Sequence, residues 1–490
     1  MGWRSWTTVG LLLTVTGAAC IIMLRPDRRI RVATGVVAHS VCAKTFVSGL
    51  DPQTVFSETI ERASLRRVRA LLQFRVDRTA GTVDASAAWM FGSRAVYHEG
   101  LGCVLRHGTN EPYILRSDID ALKVPKSPPL LGEIAGPDVV APANPALKAA
   151  LDHAFEESAE PPFRRTKAVV VVHDGKVIAE RYASGIGVNT PLPGFSMTKS
   201  VINALIGVLT QQGLVTPSMP APIPEWRGDP RREIEVEHLL RMTTGLALDE
   251  TNSFSEMIYL QDDMAGFAVK AALVAPPGTR WAYSSPTTQL LARIIRDAVG
   301  GPEQSLAFAW RELFNPLGMR NVTLEFDATG TLQGSTYMLA SARDWARFGL
   351  LFVNDGVVGG KRLLHEDWVD FSAAATLDTD YGAGFWTNRS EHEHAKERVR
   401  SGIPRDAFFA AGDLGQRIVI MPSQRLVIVR LGDNVDPTGD TRGLARLVSR
   451  RWGLSSSPSP ALAGEGRGGG VAAIQTVRVE RAPTRRYAST

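Results

Sequence analysis

Gly194-Phe195-Ser196-Met197-Thr198-Lys199-Ser200 is the segment on which the reading of this chain turns. Val201, Ile202, Ala204, Leu205, Ile206, Val208 and Leu209 follow it. That run is apolar all round, as a buried helix is, and Gln211-Gln212-Gly213 is a good stop. If the helix opens at Ser196, then Ser196 and Lys199 share a face and the amine reaches the hydroxyl. A serine is almost fully protonated at neutral pH, so a serine nucleophile needs such a base. The positive end of the helix would also favour a developing oxyanion at Ser196. The competing reading is a plain N-cap, the usual role of serine at a helix start. Against coincidence, the chain carries most of its positive charge on arginine, and only Lys199 has a serine three residues before it.

Around this segment the pattern is mixed. Asn144-Pro145-Ala146-Leu147 opens a helical stretch through Leu151 and Phe155. Lys167 to Val172 and Lys176 to Tyr182 are apolar strands joined by His173-Asp174-Gly175, a hairpin signal. A mostly helical middle, about residues 200 to 350, comes next. The end returns to strands, Gln416 to Met421 and Leu426 to Leu431, around the turn Pro422-Ser423-Gln424-Arg425. A last helix is expected from about Arg442 to Trp452. Strands from both ends with helices between them predict an α+β fold: an antiparallel sheet flanked by helices, with a helical lobe inserted.

Two further segments carry chemistry. In Pro276-Pro277-Gly278-Thr279-Arg280-Trp281-Ala282-Tyr283-Ser284-Ser285, Tyr283 is a candidate proton relay, its phenol pKa lowered by a nearby lysine ammonium. A tyrosine after a Pro-Gly turn is otherwise a core anchor. Phe408-Phe409-Ala410-Ala411-Gly412-Asp413-Leu414-Gly415-Gln416 enters the terminal hairpin, where small residues let a substrate backbone approach.

In this order and spacing, the three segments resemble the serine β-lactamase and penicillin-binding-protein superfamily, whose first motif is Ser-x-x-Lys. Tyr283-Ser284-Ser285 falls where its members have Tyr-x-Asn, and Ala410-Ala411-Gly412 where they have Lys-Thr-Gly or His-x-Gly. His238 to Leu246, Phe314 to Met319 and Ala342 to Gly349 match supporting phrases. The pattern stands nearest to the 6-aminohexanoate-dimer-hydrolase-like members. The resemblance implies a β-lactamase/transpeptidase-like fold over about residues 145–453. It implies catalysis by Ser196, Lys199 and Tyr283, with an oxyanion hole from the N–H groups of Ser196 and Asp413. Ser285, Ala410, Gly412 and Trp386 would contact substrate. Two departures matter: Ser285 replaces an asparagine that holds a substrate amide, and Ala410 replaces the cation that would meet a β-lactam carboxylate.

The expected activity is therefore hydrolysis of a small-molecule ester or amide through an acyl-enzyme, as in an esterase, amidase or carboxypeptidase, and not strong β-lactamase activity. The alternative is a slow-deacylating or non-hydrolytic penicillin-recognising sensor. Trp281 and Asn388 are further pocket candidates, and Asp249 and Glu250 could meet a substrate amine. A Ser-His-Asp enzyme of the Gly-x-Ser-x-Gly type is disfavoured, because Thr198 stands where the second glycine would be. Glu391-His392-Glu393-His394 reads as a solvated loop. No metal or cofactor is expected. A net charge of +5 over 490 residues, without a dense basic run, argues against a nucleic-acid partner. Nothing in the sequence fixes an oligomeric state.

Val9 to Leu24 is apolar between Arg4 and Arg25, which predicts residues 1–25 as a signal peptide or membrane anchor. Gly17-Ala18-Ala19-Cys20 is faintly like a lipoprotein cleavage site, but the usual leucine is missing, so an anchor is preferred. The expected location is the periplasm, on the inner membrane. Residues 26–144 form an N-terminal extension that ends in a proline-rich connector. Residues 454–490 are expected to be disordered. Outside the export segment Cys42 and Cys103 remain. In an exported protein they predict a disulfide over two buried thiols.

Overall fold

The computed structural model describes residues 26–62, 64–88, 91–107, 127–157, 159–160, 163–434 and 440–448. The expected export segment and the C-terminal tail lie outside them. The extension opens with helix α1 (Pro26–Cys42), a π-helical turn at Ala43–Val47, and α2 (Pro52–Ile60). Asp51 caps α2 by accepting from the N–H of Thr54 at 2.8 Å. Strands β1 (Leu72–Asp77), β2 (Thr82–Ala87), β3 (Phe91–His98) and β4 (Gly102–Arg106) form an antiparallel meander in sequence order. The apolar face of α1 packs on it through Val37, Ala38 and Val41, and Cys42 is disulfide-bonded to Cys103 of β4.

By length and composition, Asp27–Val47 could cross a membrane, yet 67% of its apolar window is buried inside the protein. That burial is what a core helix shows, so the stretch gives only weak support to an export segment or anchor.

The described part of the proline-rich connector is bonded to the rest of the chain: the N–H groups of Leu130 and Leu131 donate to Pro316, and Glu180 and Val140 bond each other. After α3 (Pro145–Ala154), strands β5 (Thr166–His173) and β6 (Lys176–Tyr182) pair around Asp174 and Gly175, both at positive φ. Strand β7 (Leu192–Pro193) leads to α4 (Thr198–Gln211), buried from Thr198 to Leu209. The helical lobe contains α5 (Val236–Leu240), α6 (Asn252–Leu260), α7 (Met264–Val269), α8 (Ser285–Val299) and α9 (Pro302–Ala309). Strands β8 (Val322–Leu324) and β9 (Met338–Ala340) then join β7 in a small sheet, interrupting the region read as helical.

Next come α10 (Ala342–Val353), the short hairpin β10 (Val357–Val358) and β11 (Lys361–Arg362), and α11 (Trp368–Ala373). After them follow β12 (Trp386–Thr387), α12 (Glu393–Arg400), β13 (Phe408–Gly412), β14 (Gln416–Met421), β15 (Leu426–Gly432) and α13 (Thr441–Arg446). The last helix expected to reach Trp452 is described only to Arg446. The main sheet is antiparallel throughout, in the order β12-β13-β14-β15-β5-β6, so both ends of the catalytic region meet at β15 and β5.

Strand alternation divides its apolar residues between two layers. Val170, Val172, Ile418 and Val427 share a core with α4 and α10. Val169, Val171, Val419 and Ile428 pack under α3 and α13. Each such fully buried side chain contributes roughly 1.5–3 kcal/mol of transfer free energy.

The extension is fastened across this boundary by charge as well as by apolar contact. Met257, Ile258 and Tyr259 of α6 complete its core. Arg28 pairs with Glu256, Lys167 with Glu58, and Lys44 with Asp433.

Candidate active site

The loop that carries Ser196 is tightly boxed. Gly194 lies against Trp345, where an added Cβ would come within 2.3 Å of the indole. Phe195 takes φ +47, and Phe195–Met197 make one 3-10 turn before α4. That turn sets Ser196 beneath Lys199. The Lys199 Nζ donates to Ser196 Oγ at 2.9 Å, to Ser285 Oγ at 2.8 Å and to the Ser335 carbonyl at 2.9 Å. An ammonium has three N–H donors, and this cradle occupies all of them. Lys199 is only 3% exposed, and burial pulls its pKa down to about 8 against the opposing charge of Glu250. Glu250 is tied to Ser285, accepting from its N–H at 2.5 Å and its hydroxyl at 2.6 Å.

Tyr283 borders the cavity with Ser196, and its ring centroid is 4.9 Å from Lys199 Nζ. The expected lowering of its phenol pKa is overturned. Burial and the charge of Glu250 push it up, outweighing the opposing influence of Ser196 and Arg417. Tyr283 is therefore a protonated phenol at neutral pH. Trp281, Tyr381 and Trp386 surround it with ring centroids 5.7–6.4 Å away.

Ser196, Tyr283, Trp386, Gly412 and Asp413 all border one cavity of about 1200 Å³. Gly412 brings β13 against the Ser196 loop: a Cβ there would stand 2.1 Å from the Gly194 carbonyl oxygen. Asp413, the next residue, borders the same cavity as Ser196. Two expected substrate contacts are not on the cavity. Ala410 is wholly buried and pairs with Ile418, because alternation turns Phe408 and Ala410 to the core and Phe409 and Ala411 to the cavity. Ser285 is also wholly buried, held between Lys199 and Glu250. Asn388 is buried too, donating to the Pro404 carbonyl and accepting from Arg398. Asp249 caps the start of α6 by accepting from the N–H groups of Thr251 and Asn252.

Around the Glu391–His394 stretch, Glu391 pairs with Arg405 and Glu393 with Arg400. His392 and His394 lie with Asp380 so that three potential ligand atoms fall within 4.8 Å. Asp380, however, already pairs with Arg398 at 2.9 Å.

Sequence reading missed several members of the cavity wall. Arg417 was recoverable from register alone, since it stands opposite cavity-facing Ala411 in the antiparallel ladder. The Ser335 carbonyl carries no side-chain signal. His39, Lys44 and Arg62 come from the extension, and only its folding back onto the catalytic region brings them to the cavity.

The chain is 26% identical over 297 residues to the 6-aminohexanoate-dimer hydrolase of Paenarthrobacter ureafaciens, covering 56% of this chain and 74% of that protein. Its fold is similar to that of a penicillin-binding protein homologue from Caulobacter crescentus (18% identity, TM-score 0.51, 65% of this chain and 99% of that one). A family VIII carboxylesterase is also similar (16% identity, TM-score 0.52, 66% and 99%). The family model described as Beta-lactamase matches residues 152–450, which takes in the Ser196 loop, Tyr283 and the terminal hairpin. By that match the chain belongs to the Beta-lactamase family, the serine hydrolases of the β-lactamase, esterase and penicillin-binding type.

Proposed function

We propose that the protein hydrolyses an ester or amide through an acyl-enzyme on Ser196. The observation that carries this reading is the buried Lys199 amine, 2.9 Å from Ser196 Oγ, with a pKa near 8. A substantial fraction is neutral near pH 7–8, and a neutral amine accepts the Ser196 proton across the same contact as Oγ attacks the carbonyl. The N–H groups of Ser196 and Asp413 would hold the oxyanion, each worth about 3 kcal/mol in the transition state.

Tyr283, kept protonated by its surroundings, donates its phenolic proton to the leaving group as the tetrahedral intermediate collapses. The Lys199 ammonium then reprotonates it. In deacylation a water loses its proton to Lys199 as its oxygen attacks the acyl carbon, the ester to Ser196 breaks, and the Lys199 ammonium returns that proton to Ser196 Oγ, leaving the free hydroxyl, neutral Lys199 and the acid product. Because Ser285 is committed to Lys199 and Glu250, it offers nothing to a substrate amide, which favours simple esters and amides over β-lactams.

Hydrolysis of 4-nitrophenyl butyrate by the full chain and by Ser196→Ala tests the reading. Turnover should vanish in the variant, with an acyl adduct on Ser196 visible by intact mass in the wild type. Turnover that survives the substitution rejects it. An adduct that persists for hours would instead favour a slow-deacylating sensor.

A further inference from the structure

Two of the guanidinium groups that border the cavity, one over Phe195 and one at Gly412, form no ion pair with a carboxylate among the described residues. Arg62, from the extension, stacks over the Phe195 ring at 5.3 Å, one residue before the nucleophile. Its Nε and Nη2 are buried with no hydrogen-bond partner. Arg417, on β14, gives Nη1 to the carbonyls of Gly412 and Gln416, and no carboxylate pairs with it among the described residues.

Nearby carboxylates are engaged elsewhere: Asp380 by Arg398 at 2.9 Å, Asp440 by Arg164 at 2.6 Å, Asp433 by Lys44 at 2.8 Å. Asp413 and Glu397 border the cavity but are solvent-exposed, and neither forms an ion pair with Arg62 or Arg417; Asp413 acts on Arg417, and Arg62 on Asp433, only at longer range. Glu250 is held on Ser285.

A half-buried guanidinium with no ion-paired carboxylate is costly unless something else supplies the charge. Arginine is also the side chain whose planar fork fits a carboxylate. We infer that Arg62 and Arg417 form an anion subsite beside Ser196, so that the substrate is an ester or amide carrying a free carboxylate. This rests on the hydrolase reading above. It gives the extension a part in specificity: it returns to the pocket a positive charge that the strand itself, with Ala410 in its core, does not present.

The test compares kcat/KM for anionic and neutral esters on the same protein. Mono-4-nitrophenyl glutarate, with the charge on the acyl side, is set against 4-nitrophenyl butyrate. The butyrate ester of 3-hydroxybenzoate, with the charge on the leaving side, is set against phenyl butyrate. One anionic ester should be preferred over its neutral partner by roughly tenfold or more. The ratio should collapse in Arg62→Gln and in Arg417→Gln and be partly restored in Arg62→Lys. A merely structural role would lower both rates together and leave the ratio intact, which would overturn the inference, as would the absence of any preference in the wild type.

Calorimetric binding of glutarate provides a readout free of turnover. Binding that weakens roughly tenfold in both glutamine variants supports the subsite even if no ester is hydrolysed. In that case the hydrolase reading fails alone. Ser196-dependent turnover without charge preference and without glutarate binding fails the subsite alone.

Discussion

Lys199 and Lys167 are both withdrawn from solvent, yet their protons are held in opposite senses. Burial acts against the charge of each. Around Lys167 that effect is overcome by Asp433 and Glu58, at 3.2 and 2.7 Å, and its pKa rises. Lys199 meets two hydroxyls and a carbonyl instead, and its only nearby carboxylate, Glu250, reaches it through Ser285, so burial prevails and the pKa falls to about 8. What decides between a clamp and a base is thus the partner rather than the depth of burial. The Lys167 cluster joins the extension, through Lys44 and Glu58, to the end of the main sheet. The Lys199 cluster holds an amine on Ser196 Oγ, the base of the proposed reaction.

Substitutions can pull the two clusters apart. Ser196→Ala should have the largest effect, lowering ester turnover by roughly 10⁴-fold or more with little change in melting temperature. Lys199→Met should follow at about 10³-fold, again with the fold intact, since it removes an amine that burial already disfavours. If Lys199→Met instead unfolds the protein at unchanged specific activity, the two lysines are alike and the comparison fails.

Asp433→Asn should do the reverse. It strips Lys44 of its carboxylate and Lys167 of one of its two, at a cost of about 3–5 kcal/mol in denaturant unfolding, while turnover per folded molecule is kept. The neighbouring lysines hold the Asp433 carboxyl well below its usual range, against burial. Its contribution is therefore complete above the unfolded value near ~4 and lost only as pH falls further, so wild type and variant should converge in strong acid. Tyr283→Phe belongs to the other cluster and should lower turnover by roughly 10²-fold without loss of stability.

The same contrast explains what was legible in the sequence. Ser196, Lys199 and the helix behind them follow from local rules, because i and i+3 residues share a face wherever the helix sits. The two hairpins were legible for a similar reason: turn residues and alternation are written within a dozen positions. Local rules also misled at Ala410 and Ser285, where matching a motif located the strand and helix but not the face each side chain takes. The direction of the Tyr283 shift needed burial and Glu250, neither of which a segment shows. The extension was least legible. Arg62 and Lys44 reach the cavity only because α1, the disulfide to β4 and the Asp433 cluster fold residues 26–107 back on the catalytic region.

Proton inventory gives the smallest but most discriminating effect. If neutral Lys199 is the base, kcat/KM for a neutral ester must follow its deprotonated fraction. The profile then rises about tenfold per pH unit below pH 8 and levels off above it. The upward shift of Tyr283 predicts no fall on the alkaline side before pH ~10, the ordinary phenol range. A limb near the ordinary lysine value of ~10.4 would mean that Lys199 is not the titrating base. Glu250→Gln sharpens the assignment. Glu250 favours the charged form of Lys199, so removing its charge should move the rising limb toward acid, whereas loss of packing alone would lower the plateau and leave the limb in place. A limb that moves with Glu250 and not with Asp433→Asn would place the working proton on Lys199 and leave Lys167 as the clamp.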